Sequence, residues 1–176
     1  MKKMNRKARE TLYSLLNTEE TDIGTVAAAD MFGEEGKQIL LNVSAGKGKG
    51  FSSQQRARAV YLLGLLRWEK ATKPIIQLIA SKDQSIRVHA LYALGLIGGN
   101  EAINSLVKTM KNPKTGPIEK AHVLHILGEI GDKSVEKEIR DFVSKERDIS
   151  LRLEAEQAII NIGDKENIDN RNKEQI

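Results

Sequence analysis

Apolar residues along this chain fall three and four positions apart, the spacing of one face of an α-helix, and short Gly or Asp turns separate the runs. The clearest run is Ile86 to Gly98, IRVHALYALGLIG, whose buried side should hold Ile86, Ala90, Leu91, Ala93, Leu94 and Ile97. Small residues at 90 and 93 let helices approach closely, and Gly95 removes a side chain at a tight crossing. The same pattern returns in QRARAVYLLGLLR (Gln55 to Arg67), EKAHVLHILGEIG (Glu119 to Gly131) and LRLEAEQAIINIG (Leu151 to Gly163). The four copies start 31, 33 and 32 positions apart, and a fixed period of this size marks a repeat architecture. A weaker copy runs from Thr21 to Gly33. Each of the four opens with Arg or Lys at its second place (Arg56, Arg87, Lys120, Arg152). Three carry Leu-Gly at the ninth and tenth places (Leu63-Gly64, Leu94-Gly95, Leu127-Gly128).

A second helical pattern lies between the copies. Lys70 to Ala80, Glu101 to Lys111 and Lys133 to Val143 each present an apolar face, as in Ala102, Ile103, Leu106, Val107 and Met110. Each repeat is therefore a pair of helices. One pair cannot bury its apolar face alone, so the pairs must stack into a continuous core. Residues 5 to 17 and Gly36 to Ala45 supply the earlier first helices, and AGKGKGFSS, from Ala45 to Ser53, reads as a long loop because its glycines will not propagate a helix. No strand precedes those glycines and lysines and no GKS or GKT follows, which argues against a phosphate loop. Residues 1–20 should form an N-terminal cap, and residues 164–176 a C-terminal cap that turns at Gly163-Asp164 and ends in a polar tail.

These residues resemble the HEAT-like repeats of the phycobilin (PBS) lyase type. The turn Gly-Asp of that pattern is matched by Gly131-Asp132 and Gly163-Asp164, and its first-helix proline by Pro74. Its inter-repeat turn is matched by Asp83-x-x-Ile86-Arg87 and Asp148-x-x-Leu151-Arg152. The resemblance spans nearly the whole chain. It implies an all-α fold, a right-handed α-solenoid of about five HEAT-like helix pairs forming a single domain over residues 1–176. It implies little about function, because one fold hosts many jobs.

Composition narrows the classes. The 176 residues suffice for one substantial core, and 40% hydrophobic with 30% charged residues is the make-up of a soluble helical protein. There is no cysteine, hence no disulfide, thiolate metal site or cysteine nucleophile, which is compatible with the expected cytoplasmic location. No apolar run approaches the roughly 18 residues of a membrane-spanning helix. The net charge of +4 does not require a nucleic-acid partner, and the basic cluster Lys2, Lys3, Arg6, Lys7 and Arg9 reads first as a solvated cap, with a nucleic-acid or membrane-surface contact as the alternative.

Aromatics are only 4% of the chain, so their placement carries information. In Ile86 to Gly98 the residues outside the buried set, Val88, His89, Tyr92 and Leu96, share one other face. The resemblance implies that this face lines the concave side. Transferring its register gives a ladder: Ile23, Gly24, Ala27 and Met31; Ala57, Arg58, Tyr61 and Leu65; Val88, His89, Tyr92 and Leu96; Ala121, His122, His125 and Glu129; Leu153, Glu154, Gln157 and Asn161. Two of three tyrosines and all three histidines fall in it, with Arg58 and no lysine. Aromatic side chains and Arg are enriched at interface hot spots and Lys is depleted.

The expected function is a non-enzymatic scaffold or adaptor that grips a protein or peptide on this face. Arg58, Tyr61, Leu65, His89, Tyr92, Leu96, His122, His125, Glu129, Glu154 and Gln157 are the candidate contacts. One specific version is an inhibitor or immunity-type protein that occupies a partner's active surface. No cofactor, metal or catalytic residue is expected, and oligomeric state is left open. The different-class alternative is a metal- or small-molecule-dependent enzyme built on His89, His122, His125 and Glu129. The iron-binding His-Glu dipeptide of the related deoxyhypusine hydroxylases is absent, since Ala90 follows His89 and Val123 follows His122. A bilin lyase subunit is not supported by any bilin-specific motif. A HEAT-like DNA glycosylase would need a basic concave surface, whereas the lone Trp68 reads as a packing residue over a turn.

Overall fold

The computed structural model describes residues 5–17, 23–47 and 50–173. Among these there are ten α-helices and no strand, and the fold is an all-α solenoid of paired helices. The helices are α1 (Arg6–Ser14), α2 (Ile23–Asp30), α3 (Gly33–Ser44), α4 (Ser53–Leu65), α5 (Thr72–Leu78), α6 (Gln84–Ile97), α7 (Gly99–Lys111), α8 (Pro117–Ile130), α9 (Glu136–Lys145) and α10 (Ile149–Lys173). The chain divides into two compact units, Met1–Ile97 and Gly98–Ile176. Residues 1–4 and 18–20 of the expected N-terminal cap, with Lys2 and Lys3, lie outside the described residues, as do Thr21, Asp22 and residues 174–176 of the expected tail.

In the first unit α4 packs on both α3 and α6, and α5 packs on α6. Leu12, Leu40, Leu62, Leu63 and Ile75 are fully buried, and all six residues expected inside α6 are buried. The helix starts are encoded locally. Ser52 accepts from the Gln55 backbone N–H at 3.2 Å while the Gln55 side chain accepts from the Ser52 N–H at 2.8 Å, so two end donors are satisfied at once. Asp83 Oδ1 accepts from Ile86 N at 3.2 Å, and in the second unit Asp148 Oδ1 accepts from Leu151 N at 3.2 Å. That is the physical content of the repeated Asp-x-x-apolar-Arg turn: an aspartate caps the incoming helix.

The second-place cation closes the same turn from the other side. Arg56 donates from Nη2 to the Ser44 carbonyl at 3.3 Å. Arg87 donates from Nη1 to the Ser81 and Lys82 carbonyls at 3.0 and 3.1 Å. The Ser44 carbonyl ends α3 without a partner inside the helix and Arg56 supplies one, whereas Arg87 ties down the turn that follows α5. Lys120 takes a different partner, Glu146, at 3.6 Å, and lies 5.6 Å from the Phe142 ring centroid.

In the second unit α8 packs against α7 and α10, and α9 against α10. Leu106, Met110, Leu124 and Leu127 are fully buried. The expected turn at Gly131-Asp132 is present: Gly131 ends α8 with φ +72°, and Asp132 caps the 3₁₀ turn that leads into α9. The expected turn at Gly163-Asp164 does not form, because α10 runs through it to Lys173. The reason is what the continuation touches. Lys165 Nζ donates to the Glu129 carbonyl at the end of α8, and Glu166 accepts from Lys133 Nζ at 2.6 Å. The extra helical turn thus clamps the α8–α9 corner. At the corresponding corner after α4, Trp68 is buried and its indole N–H donates to Glu34 at 3.1 Å, a packing role over the turn as expected.

Two close contacts fix how neighbouring copies stack. A Cβ added to Gly64 would stand 2.6 Å from the Ala93 Cα, and one added to Gly128 would stand 2.9 Å from the Ala158 Cα. In both units the tenth-place glycine of one copy meets the eighth-place alanine of the next, so the backbones approach as closely as the missing side chain allows.

Candidate functional site

The register that sets Gly64 against Ala93 also carries the fourth and seventh places of α4 and α6 onto one face. The Tyr61 and His89 rings meet edge to face, with centroids 5.9 Å apart and planes at 87°. Together with Arg58 they line an open cleft of about 780 Å³. Arg58 is half-buried and donates from Nε to the Leu15 carbonyl at 2.9 Å, which ties the guanidinium to the 3₁₀ turn after α1. The His89 Nδ1 lies 2.7 Å from the Ser85 carbonyl one turn earlier, so the ring is held by its own helix.

The rest of the cleft wall is mostly polar, with Leu16 and Ala57 as its apolar members, and was not among the expected contacts. Asn17, Gln54, Gln55 and Ser85 line it, and Gln55 Nε2 donates to Asn17 Oδ1 at 2.7 Å. Gln54 and Ser85 stand four positions before Arg58 and His89, so extending the ladder one helical turn toward each N-terminus would have found them. Among the described residues the lining includes one arginine and no aspartate or glutamate.

Leu65, Tyr92 and Leu96 are half-buried on α4 and α6 but do not line this cleft. Ala57, expected in the ladder, borders the cleft but is only 1% exposed, since it also packs in the core between helices. In the earliest row Gly24, Ala27 and Met31 are exposed, and the Ile23 side chain lies outside the description.

In the second unit the ladder residues sit on α8 and α10, which pack together. His122 and Glu154 are half-buried, while His125, Glu129 and Gln157 are exposed. Gln157 Nε2 donates to Asn161 Oδ1 at 2.9 Å along its own helix. A cleft of about 440 Å³ in this unit is lined by Met110, Lys120, Phe142 and Glu146 among others, and by none of those five ladder residues. Among the described residues no group of three or more His, Asp and Glu side chains converges to hold a metal. Among the described residues, too, no helix is long and apolar enough to cross a membrane.

Four carboxylates are held below their ordinary range by named partners. Asp83 is lowered first by a hydrogen bond from Ser53, and Glu34 first by Lys70. Glu136 is lowered first by Arg140, and Glu146 first by the Asp148 backbone N–H, with Lys120 adding to it. All four lie at inter-helix corners rather than in the cleft of the first unit, and they act as structural clamps.

Residues 49–119 match the family model for HEAT repeats, which supports reading the chain as a HEAT-like repeat protein. Two crystal structures of engineered proteins, both targets of the Northeast Structural Genomics Consortium, share the fold. Each covers 88% of this chain at 19% identity, with TM-scores of 0.57 and 0.55. The match takes in 79% of the first engineered chain and about half, 47%, of the second. No curated protein matches the chain.

Proposed function

We propose that this HEAT-like repeat protein is a non-enzymatic scaffold or adaptor. On this reading it holds a protein or peptide on the face of α4 and α6, with Arg58, Tyr61 and His89 as anchors. The observation that carries the reading is the cleft of about 780 Å³ where these three side chains meet. Arginine and tyrosine are among the side chains enriched at interface hot spots. The fold adds general support, since stacked repeats commonly present extended binding surfaces. The second unit's ladder, His122, His125, Glu129, Glu154 and Gln157, serves as a further contact surface, and the protein acts in the cytoplasm. An inhibitor that covers a partner's active surface is one form of this function.

The test is affinity capture from native lysate with wild type beside Tyr61→Ala and His89→Ala variants of matched helicity and melting temperature. A protein held by wild type and lost by both variants, with a loss of about 2 kcal/mol or more per anchor, agrees with the proposal. Equal recovery by all three proteins sinks it.

A further inference from the structure

The outer face of α10 repeats the stacking face of α4 and α8 with its chemistry changed. In α4 that face holds Ala57, Val60 and Gly64; in α8 it includes Leu124 and Gly128, and Val60 and Leu124 are fully buried. At the same places α10 carries Leu153, Glu156 and Ile160. Ile160 stands where Gly64 and Gly128 accept an alanine, so the close approach that joins copies inside each unit is blocked here. Ile149, Leu153 and Ile160 are instead 72%, 60% and 54% exposed. At about 100° per residue they fall within roughly 40° of one another, opposite the buried Ala155, Ala158 and Ile162.

Charge flanks this stripe. Arg152 is the second-place cation of its copy, but unlike Arg56, Arg87 and Lys120 its side chain bonds no described residue. Glu156, one turn on and also exposed, has no ion-pair partner among the described residues. We propose that this face pairs with the same face of a second copy of the chain, α10 against α10, antiparallel about a two-fold axis. Placing the axis at the midpoint of the stripe sets Ile149 opposite Ile160 of the second copy and brings the two Leu153 side chains together. The same placement sets Arg152 beside Glu156 of the second copy, twice by symmetry. The stripe is self-complementary in shape and in charge, which a two-fold contact requires. An interface of one helix pair is small, so the dimer is a micromolar one.

Sedimentation velocity of the full chain, from about 5 to about 500 µM, brackets that affinity. The expected result is a concentration-dependent monomer–dimer equilibrium. Leu153→Glu should raise the dissociation constant roughly ten-fold or more. Arg152→Glu and Glu156→Arg should each dimerise poorly alone, because like charges then face each other, while an equimolar mixture of the two should recover dimer. All three positions are exposed, and circular dichroism checks that the variants fold. A monomer throughout the range, a dimer indifferent to Leu153→Glu, or no recovery in the mixture each overturns the proposal.

Discussion

Gly64 and Ala93 meet so closely that a Cβ on the glycine would lie 2.6 Å from the alanine Cα and 2.9 Å from its Cβ. Alanine is otherwise the better helix former by about 1 kcal/mol. Here overpacking against backbone should win, so Gly64→Ala is expected to destabilise by about 1–3 kcal/mol, and Gly128→Ala against Ala158 by a similar amount. Gly163, inside α10 with open space around it, is the control: Gly163→Ala should stabilise by up to about 1 kcal/mol. Urea unfolding of the three variants checks the sign of each.

Arg67 is the one described non-glycine residue with positive φ, at +46°, directly after α4. The corresponding places after α6 and α8 hold Gly98 and Gly131, each at φ +72°. The Arg67 N–H bonds the Gly64 carbonyl at 2.8 Å and the Trp68 N–H the Leu63 carbonyl at 3.3 Å, so the left-handed conformation is imposed by the helix end. Arg67→Gly should relieve it and raise stability by about 0.5–1 kcal/mol. A lower melting temperature for Arg67→Gly would contradict this account.

Lys165 spans the α8–α9 corner, donating to the Glu129 carbonyl while its aliphatic stem covers Gly131. Lys165→Ala should destabilise the second unit by about 1 kcal/mol. Gly131→Ala should do more harm, because a Cβ there meets the Lys165 stem at 2.5 Å and φ is positive. Hydrogen exchange should show the last turn of α8 opening more readily in both variants.

Glu146 is held below the ordinary carboxylate range, first by the Asp148 N–H at 3.1 Å, then with help from the Arg147 N–H and Lys120. A lowered folded-state value means that its contribution is fully present above the unfolded value. It is lost as pH falls through the folded one. Stability should therefore decline as the pH drops below about 4. Glu146→Gln should be less stable than wild type at pH 7 and should lose less on acidification. Denaturant midpoints for both proteins at neutral and acid pH measure the difference.

The repeat period, the buried face of α6 and the Asp-capped turns were legible because each depends on local spacing and local hydrogen bonds. Tyr61 and His89 were placed on one ladder by the transferred register, but the edge-to-face contact of their rings was not foreseen. Other features depend on partners distant in sequence. Arg58 reaches back 43 residues to the Leu15 carbonyl, and Asn17 joins the cleft wall through Gln55, 38 residues away. The Gly163-Asp164 dipeptide misled for the same reason. It matches Gly131-Asp132 in sequence, but Lys165 and Glu166 have partners on the α8–α9 corner that a turn at 164 would forfeit. Ala57, assigned to the ladder by register, borders the cleft but is 1% exposed, because the third place lies at the edge of the stacking face.

The second-place arginines have a bearing on how the chain reaches this structure. Arg56 is 12 residues from the carbonyl it caps, and Arg87 only 5 and 6 from its two. A helix pair can close on itself within its own short segment before any contact to the next pair exists. Loop closure over such distances carries little entropy, so these corners are expected to close early in folding. The Gly64–Ala93 contact joins two separate pairs and is expected to come later. Substituting Arg56 or Arg87 should accordingly slow refolding, whereas substituting Gly64 should chiefly accelerate unfolding.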